Sequence, residues 1–189
     1  MIPQHEVTSL PAAVLDAYPR RYFLETGTNT GKGVAAALAH TPAYDRVWSC
    51  ETDWALFLDT TLRFQREIRA GWLELSCDAS PTFLARVLDG LKAPAVIYLD
   101  AHTEDANPLL AELAAIAAAP PLKHVILIDD VRMFGHAEMP GWRDITHAAV
   151  AAALQAINPA YTVLFADTVN GPADLLIAAL THPVGGPGR

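Results

Sequence analysis

The chain predicts an α/β domain built on an open, doubly wound, mostly parallel seven-stranded sheet, with helices on both faces and an antiparallel last strand. Three observations predict it. Short apolar runs alternate with longer helical stretches over residues 22–157. The first run ends in a glycine-punctuated turn that opens an Ala-rich helix, Glu25-Thr26-Gly27-Thr28-Asn29-Thr30-Gly31-Lys32-Gly33. The last two apolar runs are joined through Asn170-Gly171-Pro172 with no helix between them, which reads as a hairpin-like ending.

In chain order, residues 6–17 read as a short helix with Ser9 as N-cap and Pro11 in its first turn. The first strand covers 22–25, and its helix begins over 31–39. Residues 46–51 form the second strand, and 54–68 are helical with Leu56, Leu58, Leu62 and Phe64 as apolar positions. A short third strand at 72–76 leads through Asp78-Ala79-Ser80-Pro81 to a helix over 82–91, broken by Pro94. Residues 95–100 run apolar without alternation, the pattern of a strand buried on both faces. A helix over 108–119 stops at Pro120-Pro121, and 124–130 is the strongest strand. The 13 residues 131–143 lack periodicity, which at the end of a central strand suggests a lid. A helix over 144–157 and strands at 161–166 and 174–180 complete the sheet. One domain, 1–182, thus carries an N-terminal helical segment within 1–19 and a Gly/Pro-rich frayed tail, 183–189.

At 189 residues the chain can bury a substantial single core. A net charge of −8 leaves no basic stripe to displace counterions, which disfavours DNA or RNA while leaving a small nucleotide open. Cys50 and Cys77 are too few for a disulfide framework and read as reduced, buried packing residues on neighbouring strands. No run approaches 18 apolar residues and the first residues lack a leader pattern, so the expectation is a soluble, cytoplasmic protein with no membrane partner.

The glycine loop has three ligand readings. A P-loop needs four residues between its first glycine and Gly-Lys, then Ser or Thr; here three lie between Gly27 and Gly31, and Gly33 replaces the hydroxyl. A dinucleotide turn needs G-x-G-x-x-G, and this loop is G-x-x-x-G-x-G. The third pattern, acid-x-Gly-x-x-x-Gly, is matched position by position by residues 25–31. It resembles the first motif of Rossmann-like S-adenosylmethionine (SAM) methyltransferases. A Gly-rich turn with no ligand is the plain alternative.

The resemblance implies cofactor-binding roles for Glu25, Gly27, Thr28, Asn29 and Gly31, with Glu25 beneath the loop orienting its backbone or the methionine amine. Glu51 ends the second strand, 26 residues beyond Glu25, where a carboxylate can accept ribose hydroxyls; the family gives that acid the same role. Asp78, at the end of the third strand, falls where similar enzymes place a residue beside the adenine, although Asp-Ala-Ser-Pro also makes a helix cap.

Asp100 ends the fourth strand, and Asp129 with Asp130 ends the fifth. Three like charges in one place need a cation, and hard oxygen donors suit Mg²⁺, or Mn²⁺ and Ca²⁺ less selectively. The segments Leu99-Asp100-Ala101-His102 and Ile128-Asp129-Asp130 are similar to the metal motifs of catechol-type O-methyltransferases and, still more, of macrolide-sugar O-methyltransferases. The resemblance implies Asp100, Asp129 and Asp130 as metal ligands, Asp100 also at the cofactor and in catalysis, and a hydroxyl activated by the metal. His102 is the candidate base, and Arg132, His136 and Trp142 are candidate substrate contacts. The function expected is metal-assisted O-methylation of a small sugar or aromatic diol, in a chain short enough that a homodimer could complete the lid. Two alternatives stay open: a metal-independent SAM methyltransferase, and a nucleoside-binding protein that has lost turnover.

Overall fold

The computed structural model describes residues 9–180; the expected helix start at 6–8 and the tail 183–189 lie outside them. In chain order the elements are α1 (Ala12–Ala17), β1 (Tyr22–Thr26), α2 (Lys32–Ala39), β2 (Arg46–Glu51), α3 (Trp54–Arg63), α4 (Gln65–Arg69), β3 (Leu73–Cys77), α5 (Ser80–Gly90), β4 (Ala95–Leu99), α6 (Leu109–Ala118), β5 (Val125–Ile128), α7 (His147–Ile157), β6 (Thr162–Thr168) and β7 (Gly171–Ala179). A single 3₁₀ turn, Val131–Met133, follows β5.

The strands form one sheet in the order β3-β2-β1-β4-β5-β7-β6. Pairings among β1 to β5 are parallel, while β7 runs antiparallel to both β5 and β6. Strand order reverses between β1 and β4, the place where open α/β sheets bind ligands beyond their carboxyl ends. Glu25, Asp100, Asp129 and Asp130 all lie at that end.

Alternation of side chains decides the two faces. Phe23, Val47, Val96, Tyr98 and Leu127 meet α1, α2 and Phe64, whereas Leu24, Ile97, Leu99, Ile126 and Ile128 meet α5, α6 and α7. Every residue of β4 and β5 is buried, as the uninterrupted apolar runs predict. Each such Val, Leu or Ile contributes about 1.5–3 kcal/mol relative to exposure, so these two strands anchor the acids that follow them.

Several local expectations are corrected. Ser9 is not a helix cap: α1 starts at Ala12 after Pro11, and Ser9 Oγ instead meets the Tyr98 hydroxyl at 2.7 Å. Ser80 and Pro81 belong to α5, proline being tolerated in a first turn that has no N–H bond to lose. The helix expected over 54–68 breaks at Phe64, which leaves helical geometry and turns its buried ring towards the glycine loop. Leu58 and Leu62 of α3 are exposed, as are Trp54 and Trp72. Cys50 is buried but Cys77 is exposed. Cys50 pairs in register with Ser76, so Cys77 points to the opposite face and the two thiols do not meet. Residues 131–143 fold down on the core through Val131 and Trp142 rather than standing open. Among the described residues no helix is long and apolar enough to cross a membrane.

Candidate functional site

The glycine loop curls over the end of β2. The Gly27 and Thr28 N–H groups both donate to the Cys50 carbonyl, at 3.0 and 2.9 Å. Gly27 holds a φ of 78°, and a Cβ there would stand 2.6 Å from the Asp100 carbonyl oxygen, so only glycine lets the loop pass this close to the start of the β4 exit. Asn29 also adopts a left-handed φ of 47°, which asparagine tolerates. Its N–H donates to Glu51 Oε2 at 2.7 Å.

Under the loop lies Glu25, 2% exposed. Ser49 Oγ donates to Glu25 Oε2 at 2.7 Å, and the Thr28 hydroxyl, 2.6 Å from Ser49 Oγ, supplies the next hydrogen. Gly33 makes room for the other oxygen: a Cβ at residue 33 would stand 1.8 Å from Glu25 Oε1. Burial pushes the Glu25 carboxyl well above its ordinary range, helped by the charges of Asp100 and Glu51 and opposed by the Ser49 bond. The carboxylate is therefore short of positive charge.

Glu51 is 9% exposed and accepts three backbone N–H groups, from Asn29, Thr52 (2.8 Å) and Asp53 (2.9 Å). A carboxylate offers about four lone-pair sites, so one remains for a ligand hydroxyl. Asp78 Oδ1 accepts only the adjacent Ala79 N–H at 2.9 Å, and no side chain caps α5. Its N–H donates to the Glu51 carbonyl, which sets the two acids side by side at the sheet edge.

A cleft of about 370 Å³ opens above the loop. Its walls include Glu25, Gly27, Thr28, Asn29, Lys32 and Asp100, with Ser9 from the N-terminal segment and Val169-Asn170 from the β6–β7 turn. The volume suits a nucleoside-sized ligand.

Beyond β4 and β5 the acids do not converge as one triple. β5 ends at Ile128, and Asp130 takes a left-handed φ of 57° that re-aims its side chain. Asp129 turns to the other side, where its Oδ2 accepts the Tyr98 hydroxyl at 2.6 Å and its Oδ1 the Asp130 N–H at 2.9 Å. Among the described residues, two groups place ligand atoms within 4.8 Å of one another: Asp100, His102 and Asp130, and Asp129, Asp130 and Asp174. His102, expected as a base, is thus a member of the first group, whereas Asp129 is not.

His102 Nε2 lies 2.6 Å from Asp130 Oδ2 and 3.4 Å from Asp100 Oδ1. Burial lowers its pKa, but hydrogen bonds and charges from the two carboxylates outweigh this and push it up to about 9. The two carboxylates thus favour the imidazolium form of the ring, which has no lone pair for a proton. Asp100 is pushed up to about 6 by burial, with His102 opposing and Asp129 and Asp130 reinforcing. Burial would also raise Asp130, but His102 and Arg132 hold it below the usual carboxylate range.

Arg132, expected at the substrate, bridges Asp130 Oδ1 (2.5 Å) and Asp174 Oδ2. Asp174, fully buried on β7, also accepts the Arg132 N–H at 3.1 Å and the Thr168 hydroxyl at 3.1 Å. Trp142, likewise expected at the substrate, is 2% exposed and packs edge-on against the His102 ring, centroids 4.7 Å apart. Its place is behind the histidine rather than in an open pocket. His136 is exposed on the loop, where its backbone bonds Met133 and Met139.

Sequence reasoning missed Ser9, Ser49, Tyr98 and Asp174. None carries a motif; their roles follow from strand register and from chain segments far apart in sequence. Gly33, read from sequence only as the residue in place of a P-loop hydroxyl, makes its close approach to Glu25 in the structure.

No protein-family model matches the chain, and no curated protein matches it. Solved structures do. An O-methyltransferase from Bacillus cereus in complex with S-adenosylhomocysteine (SAH) superposes with a TM-score of 0.68 at 18% identity, over 95% of this chain and 84% of that one. A SAH-bound methyltransferase from Podospora anserina gives 0.62 at 16% identity, over 90% and 76%. A putative caffeoyl-CoA O-methyltransferase from Staphylococcus aureus gives 0.61 at 14% identity, over 89% and 79%. At these identities the likeness speaks for architecture, and it agrees with the strand order and the loop: the chain has the fold of the Rossmann-like SAM-dependent methyltransferases.

Proposed function

We propose that the chain is a SAM-dependent O-methyltransferase acting on a small hydroxylated metabolite, a sugar or an aromatic diol, with a divalent cation held by Asp100, His102 and Asp130. The observation that carries the SAM reading is the acidity of the cleft. Glu25 and Asp100 both line it, both are raised by burial, and Lys32 is the lining cation. At both carboxyls burial outweighs the groups that favour ionisation, so a ligand bearing ammonium and sulfonium charge gains by holding them ionised.

SAM supplies a methyl group already activated on sulfur, so the protein has mainly to align oxygen, carbon and sulfur. Glu51 is not among the cleft walls but is tied to them through the Asn29 N–H, and with the loop backbone it holds the nucleoside end; Glu25 faces the cationic end, and Asp100 stands where the cleft meets the acid cluster. The hydroxyl proton passes to the Asp100 oxygen that faces away from His102 and would not hold the cation, as the new O–C bond forms and the C–S bond breaks.

The donor set of Asp100, His102 and Asp130, two carboxylates and one imidazole, suits Mn²⁺ better than Mg²⁺ or Ca²⁺, which prefer oxygen donors throughout. A cation there supplies a lowered pKa for the acceptor hydroxyl. A metal-independent enzyme is favoured by a different observation: both Asp130 oxygens already face His102 and Arg132, so protein cations compensate the cluster.

The test is SAH formation from SAM, followed by mass spectrometry across a panel of diols and sugars, with Mn²⁺ or with EDTA. Turnover that EDTA abolishes supports the metal reading, and turnover that survives EDTA supports the alternative. SAM binding without turnover of any acceptor in the panel supports the reading as a nucleoside-binding module.

A further inference from the structure

On the face of the sheet that carries α6, beneath the acid cluster, lies a second cavity of about 10 Å³, the space that the centre of one water molecule requires. His102, Asp129, Asn107 and Glu112 line it, with Trp142 among the apolar walls. Glu112 has no place in the chemistry described so far.

Glu112 lies on α6 between Leu109, Leu113 and Ile116, which do the packing of that helix on the sheet. It is 1% exposed, and its Oε1 has no hydrogen-bond partner from the protein. A carboxyl here costs free energy that an apolar residue at the same position would not. Burial pushes it up to about 7, against the hydroxyls of Ser80 and Thr26. Charged or neutral, Glu112 keeps an oxygen without a protein partner beside the cavity that it lines.

His102 meets that cavity from above. Its Nε2 is committed to Asp130 and Asp100, and its ring rests on Trp142. The other nitrogen, Nδ1, carries a hydrogen both in the imidazolium and in a ring whose Nε2 ligates a metal. Asn107 Oδ1 accepts the Leu109 N–H at 2.9 Å, which leaves the Asn107 amide hydrogens for a further partner. A buried water needs two to four such partners.

We propose that one water in this cavity links His102 Nδ1–H to Glu112 Oε1, making Glu112 the positioning residue that fixes the His102 ring with Nε2 towards Asp100 and Asp130. The inference deepens the metal reading above and rests on it for its consequence, because ring orientation set from behind is what makes a histidine a good ligand. It stands on the metal-free geometry for its existence.

The experiment uses the full chain with ¹⁵N-histidine, in wild-type form and as Glu112→Gln and Glu112→Leu, with His102→Asn to assign the resonance. In metal-free wild type the His102 Nδ1–H proton is expected to be visible, protected from exchange, and to show a cross-peak to a long-lived water. Glu112→Leu abolishes it, and Glu112→Gln, which keeps an acceptor oxygen, restores it. Mn²⁺ affinity falls by about 10–100-fold in Glu112→Leu and less than about 3-fold in Glu112→Gln, while SAH affinity stays within twofold. A resonance that persists in Glu112→Leu, or wild type without the water cross-peak, overturns the proposal whether or not Glu112→Leu folds. If wild type binds no Mn²⁺, the metal reading fails, and the imidazole resonance still decides the role of Glu112.

Discussion

Replacing Gly33 with alanine drives a methyl group into Glu25. The added Cβ would stand 1.8 Å from Glu25 Oε1 and 3.0 Å from its Cδ, with Tyr98 Cε1 behind it at 3.5 Å. The near atom ends a flexible side chain, but that side chain is 2% exposed and held by Ser49, so it cannot swing clear without breaking a buried bond. Overpacking costs about 1–3 kcal/mol, and the severed hydrogen bond costs about 1–3 more. Helix propensity returns about 0.5–1 kcal/mol, which leaves a net loss of about 1–5 kcal/mol. Urea unfolding followed by tryptophan fluorescence measures it, with Gly90→Ala as a control. Gly90 has nothing within 4 Å of its would-be Cβ, so that change should be neutral or stabilising. In a Glu25→Ala background the cost of Gly33→Ala should fall by more than about 1 kcal/mol, because the clash has gone. If Gly33→Ala is neutral or stabilising in wild type, as helix propensity alone requires, the placement of Glu25 under the loop is wrong.

Other substitutions probe separate parts of the structure. Gly27→Ala combines a φ of 78° with a Cβ 2.6 Å from a backbone oxygen, so it should cost more than about 2 kcal/mol and weaken SAH binding at least tenfold; unchanged binding by calorimetry would remove the loop from the site. Tyr98→Phe takes a buried donor from Asp129 and should lower stability by about 1–3 kcal/mol in the same urea assay, whereas a neutral result would mean that Asp129 is satisfied elsewhere. His124, whose Nδ1 accepts the Ala95 N–H, is pulled down to about 4 by burial and the charge of Arg20. The unfolded chain therefore takes this proton first, and the contribution of His124, fully present above its ordinary value of 6.5, is lost as pH falls towards 4. The loss is about 3 kcal/mol, from about 2.5 pH units at about 1.4 kcal/mol each. Subtracting the stability profile of His124→Asn from that of wild type isolates it, and parallel profiles would contradict it.

The fold was legible because the core strands state themselves twice. Residues 95–99 and 125–128 are apolar without alternation, which demands two covered faces, and each is followed by a helix long enough to supply cover. The glycine loop was legible for a similar reason, since a left-handed turn and a close approach both need glycine and both fall within 27–33. The acid cluster was only half legible. Sequence shows that Asp100, Asp129 and Asp130 reach one end of the sheet, but the aim of adjacent residues depends on where the strand stops, and β5 stops one residue before Asp129. The aim of Arg132 and Trp142 depended on Asp174 and His102, partners 42 and 40 residues away along the chain. Long side chains on an irregular loop follow such partners, and no periodicity announces them.

The most direct test is calorimetric titration of the purified chain with SAH, alongside NAD⁺ and the Glu51→Ala variant. The account predicts saturable binding of SAH to wild type, loss of at least tenfold in affinity in Glu51→Ala, and no binding of NAD⁺ to so acidic a cleft. A folded wild-type protein that ignores SAH, or that prefers NAD⁺, would contradict the assignment of the cleft to a SAM-type nucleoside.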